Sequence, residues 1–129
     1  MNENVVLNSN MYDIFSKSTD KAASMGLLCI FPKDNEVQLD LDSEVAFEEF
    51  TKRHKMLSNY FESMLPYKKT ESKTPGHYHI TVELPITVDH IERLAIQSIL
   101  GSDPMREMFN LYRYLGTGNP DTCLFEISI

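Results

Sequence analysis

The stretch Val37-Gln38-Leu39-Asp40-Leu41-Asp42 alternates strictly between apolar and polar residues, and the predicted architecture extends outward from it. Successive side chains of a β-strand point to opposite faces of the sheet. The alternation therefore predicts a strand that is buried on one face and polar on the other. On the polar face, Asp40 and Asp42 lie two positions apart, which is roughly 7 Å along a strand.

The two carboxylates on one face are open to two interpretations. Carboxylates suit Mg²⁺ or Mn²⁺, and a shared ion would hold the phosphates of a nucleotide against the strand. In the alternative, acidic residues at the end of a strand only solvate the chain and lead into the next helix.

The neighbouring segments predict a hairpin followed by a helix. The apolar run from Gly26 to Phe31, stopped by Pro32, is typical of a buried strand, and a short turn would join it to the acidic strand. Ser43 is a favourable N-cap for a helix of about 20 residues. His54 lies on the apolar stripe of this helix, where we expect a packed or boundary histidine rather than a ligand. The stripe comprises Phe47, Phe50, His54, Leu57, Phe61 and Met64.

A second hairpin is predicted from Tyr67 to Leu84, with its turn at Lys73-Thr74-Pro75-Gly76. In its second arm, apolar residues alternate with His77, His79, Thr81 and Glu83. If both hairpins belong to one sheet, the histidines and the carboxylates share its open face. The alternative is a polar face that is merely exposed to solvent.

The remainder of the chain predicts two helices and a final strand. The first helix ends at Gly101, and the second begins with Asp103 as N-cap and Pro104 at the first helical position. We expect the buried side of the second helix to consist of Met105, Met108, Phe109, Tyr112 and Leu115. The sequence thus predicts a partly loose segment over residues 1–24 and one α+β domain over 25–129. We expect a mostly antiparallel sheet of about five strands with helices on one face.

Composition narrows the classes of function. The formal charge of −7 over 129 residues argues against a general nucleic-acid binder, which would need basic residues to neutralise phosphates. No apolar run is long enough to cross a bilayer, and the polar N-terminus does not resemble a signal peptide. We therefore expect a cytoplasmic protein without a membrane partner. Cys29 and Cys123 lie in apolar runs, where we expect reduced core cysteines.

Candidate functional residues come from both predicted hairpins and from the last strand. Two acids, an imidazole and a lysine together suit a metal ion and a triphosphate. Arg93 and Arg106, near helix ends, would bind phosphate or form surface ion pairs. The candidate residues are Asp40, Asp42, Ser72, Lys73, His77, His79, Glu83 and Glu126.

Two of these segments resemble motifs of the archaeo-eukaryotic-type primase-polymerases. Residues 37–43 resemble the first motif, an Asp-hydrophobic-Asp pair that binds catalytic divalent metals, and residues 72–82 are similar to the second, which contacts the incoming nucleotide. The resemblance implies an RRM-like sheet, a nucleotide or nucleic-acid partner, and Mg²⁺ or Mn²⁺ on Asp40 and Asp42. It implies phosphate contact by His79, with Ser72, Lys73 and His77 also nucleotide-binding. The third acidic motif of that family has no clear match; Asp103 is better explained as a helix cap, and Glu126 has a longer side chain than the motif requires.

Other resemblances leave the activity open. Most of residues 26–127, including Leu100 to Pro104, is similar to small bacteriophage proteins, which implies no particular activity and a location in the host cytoplasm. An inactive derivative of the polymerase core fits the same sequence. So does a non-enzymatic acidic protein that binds and inhibits a host protein. His79-Ile80-Thr81 is also similar to the His-x-Thr motif of two-histidine phosphoesterases, but neither His54 nor His90 supplies the second motif that such enzymes need.

Overall fold

The computed structural model describes residues 20–72, 74–117 and 124–127, and within them it has the predicted α+β class. Residues 20–24 are helical. Most of the predicted loose segment, residues 1–19, lies outside the described residues, as do Lys73 and Cys123. The elements are β1 (Leu27–Ile30), β2 (Glu36–Leu41), α1 (Glu44–Tyr60), β3 (Tyr67–Glu71), β4 (Tyr78–Glu83), α2 (His90–Ile99), α3 (Pro104–Thr117) and β5 (Leu124–Ile127).

The strands form two antiparallel groups rather than the single five-stranded sheet that was predicted. One group is a three-stranded sheet in the order β2-β4-β3, and in the other β1 pairs with β5. The β3–β4 hairpin is confirmed, with Tyr67 opposite Val82 and Glu71 opposite Tyr78. The predicted pairing of β1 with β2 is wrong, because β4 occupies one edge of β2 and side chains from the α2–α3 region occupy the other. An RRM-like arrangement is not confirmed.

Helix α1 covers the apolar face of the three-stranded sheet. Its N-cap is Ser43, as predicted, and the Ser43 Oγ accepts a hydrogen bond from the backbone N–H of Ala46 at 3.1 Å. Phe50 is fully buried against this face. His54 is also a core residue, as predicted, with Nε2 2.8 Å from the carbonyl oxygen of Leu65. The core cluster comprises Val37, Leu39, Leu41, Phe50, Leu65, Ile80, Val82, Leu84 and Leu100.

The outer edge of β2 is covered by helices α2 and α3 and the turn between them. An edge strand otherwise presents a row of unpaired backbone groups. Here side chains and one backbone amide supply the missing partners, so this edge is closed to a further strand. The hydrogen bonds join Arg93 Nε to Glu36 O (2.9 Å), Gln38 N to Gln97 Oε1 (3.0 Å), Arg106 Nη1 to Gln38 O (2.9 Å), Asp40 N to Ser102 Oγ (3.1 Å) and Asp103 N to Asp40 O (2.8 Å).

A buried carboxylate holds these edge-covering side chains in place. Glu107 is only 5% exposed and accepts hydrogen bonds from four donors on both sides of the α2–α3 turn. Its charge is balanced by the adjacent guanidinium of Arg106. The donors are Gln97 Nε2 (2.6 Å), Ser102 Oγ (2.7 Å), Arg106 Nη1 (2.5 Å) and Asn110 Nδ2 (3.2 Å).

The prediction for the buried side of α3 is wrong, although the predicted start of this helix is confirmed. Its buried residues are polar, Glu107 and Asn110, whereas the apolar residues face outward. The apolar periodicity was real, but the inward face is required to complete the β2 edge. The exposed fractions are 53% for Met105, 37% for Met108, 51% for Phe109, 38% for Leu111, 61% for Tyr112 and 69% for Leu115.

Strand β1 is less buried than its apolar composition predicts. Leu28 and Ile30 are 51% and 38% exposed. Cys29 is half-buried in β1. None of the described helices is long and apolar enough to cross a membrane.

Candidate functional site

Asp40 on β2 and His79 on β4 lie directly opposite each other in the sheet. The backbone N–H and C=O of Asp40 point outward to Ser102 and Asp103, so Asp40 and His79 form a non-hydrogen-bonded pair. Side chains are closest in such pairs. Accordingly, His79 Nε2 lies 3.8 Å from Asp40 Oδ1. The expectation that the histidine strand and the acidic strand share one face is fulfilled for this pair.

The two side chains differ in accessibility. The Asp40 side chain is 34% exposed, whereas that of His79 is 10% exposed. A ligand can therefore reach the carboxylate from solvent, whereas the imidazole is largely buried.

The electrostatic surroundings of Asp40 are mixed. Burial raises the pKa of its carboxyl above the ordinary value of 3.8, while the positive charges of His79 and Arg106 oppose that rise. The negative charge of Asp103 raises the pKa of Asp40 further, and the positive charge of His77 lowers it. Asp103, predicted only as a helix cap, is thus also a neighbour of the site. Its position could not be read from the sequence because it depends on how α3 packs against β2.

The other predicted site residues do not converge on this pair in the same way. Asp42 lies beyond the end of β2 and is exposed. The Ser72 hydroxyl is engaged locally, accepting from the N–H of Thr74 at 3.1 Å and donating to its carbonyl at 3.3 Å. His77 is half-buried beside the turn, and Glu83 is exposed at the far end of β4. The side chains of Lys73 and Glu126 lie outside the described part of the chain.

The two arginines have structural roles in place of the predicted phosphate contacts or surface ion pairs. Arg93 is 6% exposed and donates to the backbone carbonyls of Lys33 and Glu36. Arg106 donates to the carbonyl of Gln38 and to Glu107. The charge pattern of the sequence did not indicate this, because the partners are backbone atoms far along the chain.

Of the pair, the Asp40 carboxylate is the group that suits a divalent ion. Neighbouring ligands of an ion with bonds of about 2.1 Å lie about 3.0–3.4 Å apart. The 3.8 Å between His79 Nε2 and Asp40 Oδ1 exceeds that spacing, so the two atoms are not placed as a pair of ligands for one ion. Among residues 20–72, 74–117 and 124–127, no group of three or more His, Cys, Asp or Glu side chains is placed to hold a metal ion. An ion here would need further ligands from water or from a bound phosphate.

A groove of about 980 Å³ lies between β1 and the polar face of the three-stranded sheet, and neither Asp40 nor His79 is among its lining residues. Thr70, which lies opposite His79 in the β3–β4 ladder, is one of its lining residues. Its other walls are apolar on the β1 side and carry charged residues on the sheet side. They include Leu28, Ile30, Phe31, Lys33, Lys68 and Thr81.

Comparison of the chain with protein-family models, with characterised proteins and with solved structures finds no match.

Proposed function

We propose that the protein binds a nucleotide together with Mg²⁺ or Mn²⁺, with the phosphates at the Asp40–His79 pair. The observation that carries this proposal is the direct cross-strand placement of the two side chains, 3.8 Å apart, with the carboxylate open to solvent. Mg²⁺ is commonly held by one or two carboxylates and the phosphates of a substrate, so a large protein ligand set is not required. The resemblance to primase-polymerase motifs supports the same assignment.

The adjoining groove supports the nucleotide part of the proposal. Small-molecule sites are typically clefts of about 300–1,000 Å³ with mainly apolar walls and a few polar groups. The groove between β1 and the sheet has about 980 Å³, apolar residues on β1, and the hydroxyls of Thr70 and Thr81. Asp40 and His79 do not line it, so a base and sugar lying there would reach phosphates at the pair past Thr70, which lies opposite His79.

In this arrangement each residue has a defined task. The Asp40 carboxylate would hold the divalent ion, which when bound neutralises phosphate charge. His79 would donate a hydrogen bond to a phosphate oxygen through Nε2. Nucleotidyl transfer would require a further metal-binding acid; the candidate for it remains Glu126, whose side chain lies outside the described residues. The proposal therefore concerns binding, and catalysis is a separate question.

The test is a calorimetric titration of Mn²⁺ with and without a nucleoside triphosphate. We expect the wild type to bind the metal–nucleotide complex more tightly than either component alone. We expect the Asp40→Asn variant to lose at least tenfold in affinity, because the amide cannot neutralise the cation. The matched control is Asp42→Asn, which removes an exposed carboxylate two positions away.

The two variants distinguish a site at Asp40 and His79, which are paired in the structure, from a site at Asp40 and Asp42, which the sequence predicts. A loss confined to Asp40→Asn assigns the site to Asp40 and His79. An equal loss in both variants assigns it to the two aspartates, as the sequence resemblance implies. Absence of binding by the folded wild type, or wild-type affinity in Asp40→Asn, overturns the proposal.

Inhibition of a host protein by charge mimicry is less well supported. That function needs carboxylates gathered on one surface. The exposed acidic residues are instead spread over several elements, including α1, the end of β4 and the α2 cap, and α1 also carries exposed lysines. Such a distribution is typical of a soluble surface. The phosphoesterase alternative gains no second histidine, since His54 is held in the core by Leu65.

A further inference from the structure

Helix α3 is amphipathic in the reverse of the usual sense. A surface helix normally turns its apolar stripe to the core and its polar face to water. In α3 the buried side carries Glu107 and Asn110, and six large apolar side chains point away from the protein. We call these six, Met105, Met108, Phe109, Leu111, Tyr112 and Leu115, the outer face of α3.

The spacing within the outer face is that of a helix–helix seam. Met105, Met108, Tyr112 and Leu115 follow one another at steps of three, four and three. This is the alternation of a and d positions in a coiled coil, where side chains of one helix insert between those of another. Phe109 and Leu111 flank the seam with further apolar surface. A groove of about 430 Å³ between α2 and α3, lined in part by Ile91 and Leu94, lies beside it.

The area of the outer face is sufficient for a stable interface. A fully exposed large side chain presents on the order of 200 Å². With the exposed fractions of its six residues, the outer face presents roughly 600 Å² of largely apolar surface, and Ile91 of α2, beside the same groove, brings this to roughly 700 Å². A standard interface buries about 800 Å² per partner, and monomers rarely expose a patch much above a few hundred Å².

Charge indicates what covers this face. A basic amphipathic helix from another protein would need acidic residues along the seam, but the one acid of α3 is the buried Glu107. Apolar positions on both sides of a seam are instead compatible with an identical helix, because no like charges meet across it. A two-fold axis would bring the same patch of two chains together, which is the commonest arrangement of homo-oligomers.

We propose that the protein forms a two-fold symmetric dimer through the outer faces of two α3 helices. The helices pack along the Met105–Leu115 seam, and side chains of each copy enter the groove between α2 and α3 of the other. The Asp40–His79 pair lies on a different part of each chain, so the dimer does not depend on the nucleotide proposal.

The test is sedimentation equilibrium of the full chain at concentrations from about 1 µM to 1 mM. The wild type is expected at twice the chain mass in the upper part of this range. Met105→Glu is expected to weaken the dimer at least tenfold, because it places a carboxylate in the seam. Met56→Glu is the matched control, since Met56 is 71% exposed on α1 and outside the outer face.

Leu115→Glu provides a second test at the other end of the seam, and circular dichroism establishes that each variant is folded. Dimerisation of the wild type and of Met56→Glu, together with weakened association of both seam variants, supports the proposal. A monomeric wild type at the highest concentration overturns it. It is equally overturned by seam variants that dimerise as tightly as the wild type.

Discussion

Asp40 occupies a position where its charge is a cost to folding. Burial raises the pKa of the carboxyl, and the opposing effects of His79 and Arg106 do not cancel that rise. A group whose pKa is higher in the folded chain than in the unfolded chain binds protons more tightly when folded. The ionised carboxylate at neutral pH therefore lowers the free energy of unfolding. Retaining a charge at such a place is characteristic of functional sites.

We therefore predict that Asp40→Asn increases the thermal midpoint at pH 7 by a few degrees. The difference from the wild type should shrink as the pH falls through the raised pKa of Asp40 toward 3.8, because the carboxyl becomes protonated first in the folded state and, below 3.8, in both states. Differential scanning calorimetry between pH 7 and pH 4 measures both effects. A variant less stable than the wild type at pH 7 would show that attraction to His79 and Arg106 outweighs the cost of burial.

At this scale the sequence was informative about which residues meet. Alternation along two strands predicted that Asp40 and His79 share one face if the strands belong to one sheet, because the period of a strand fixes the facing of every side chain; the direct pairing of β2 with β4 was not predicted. It was not enough for Asp42, since β2 ends at Leu41 and the strand geometry no longer applies. The roles of Ser102 and Asp103 could not be predicted from the sequence, because they arise from the packing of α3 against β2.

Among the elements, α3 shows what periodicity does and does not determine. The sequence correctly predicted its start at Asp103-Pro104 and the existence of an apolar side. It did not predict which side faces the protein, because that depends on the unpaired backbone of β2. Completing that backbone with Arg106, and holding Ser102 and Gln97 in place through Glu107, outweighs burial of the methionines. The same occupation of the β2 edge explains why β1 does not pair with β2.

If Glu107 fixes α2 and α3 on the β2 edge, its removal should be among the most damaging substitutions in the chain. Glu107→Ala leaves the buried Arg106 guanidinium without its counterion and several donors without an acceptor. We expect a loss of about 3–5 kcal/mol in the free energy of unfolding. Urea denaturation measures this loss.

The control is a second Glu–Arg pair, which lies on the surface. Glu49 accepts from Arg53 at 3.2 Å on α1, and the two side chains are 48% and 41% exposed. Glu49→Ala should change the free energy of unfolding by less than about 1 kcal/mol. Similar losses in the two variants would mean that the Glu107 network is not what holds the helices on the sheet.

At the scale of the whole molecule, the pH dependence of stability comes from Asp40 on β2 and from His90 at the start of α2. His90 begins α2, its ring lies 6.0 Å from that of Tyr114 on α3, and its Nδ1 is buried without a hydrogen-bond partner. Burial lowers the pKa of His90 below 6.5, and the charge of Arg93 adds to this effect, while Asp89 and Asp34 oppose it. The neutral imidazole is thus the form that the fold accommodates.

This gives a definite sign to the pH dependence. Above pH 6.5 His90 is neutral in both states, and below that value the unfolded chain takes up the proton first. The wild type should therefore lose stability as the pH falls from 7.5 to about 5.5, whereas His90→Gln should show a flatter profile over the same interval. Protonation of Asp40 changes stability with the opposite sign, because folding raises its pKa. The profiles with and without His90→Gln should therefore be compared in the Asp40→Asn background, which removes this contribution. If the two profiles in that background are parallel, His90 protonation is not coupled to the packing of α2 against α3.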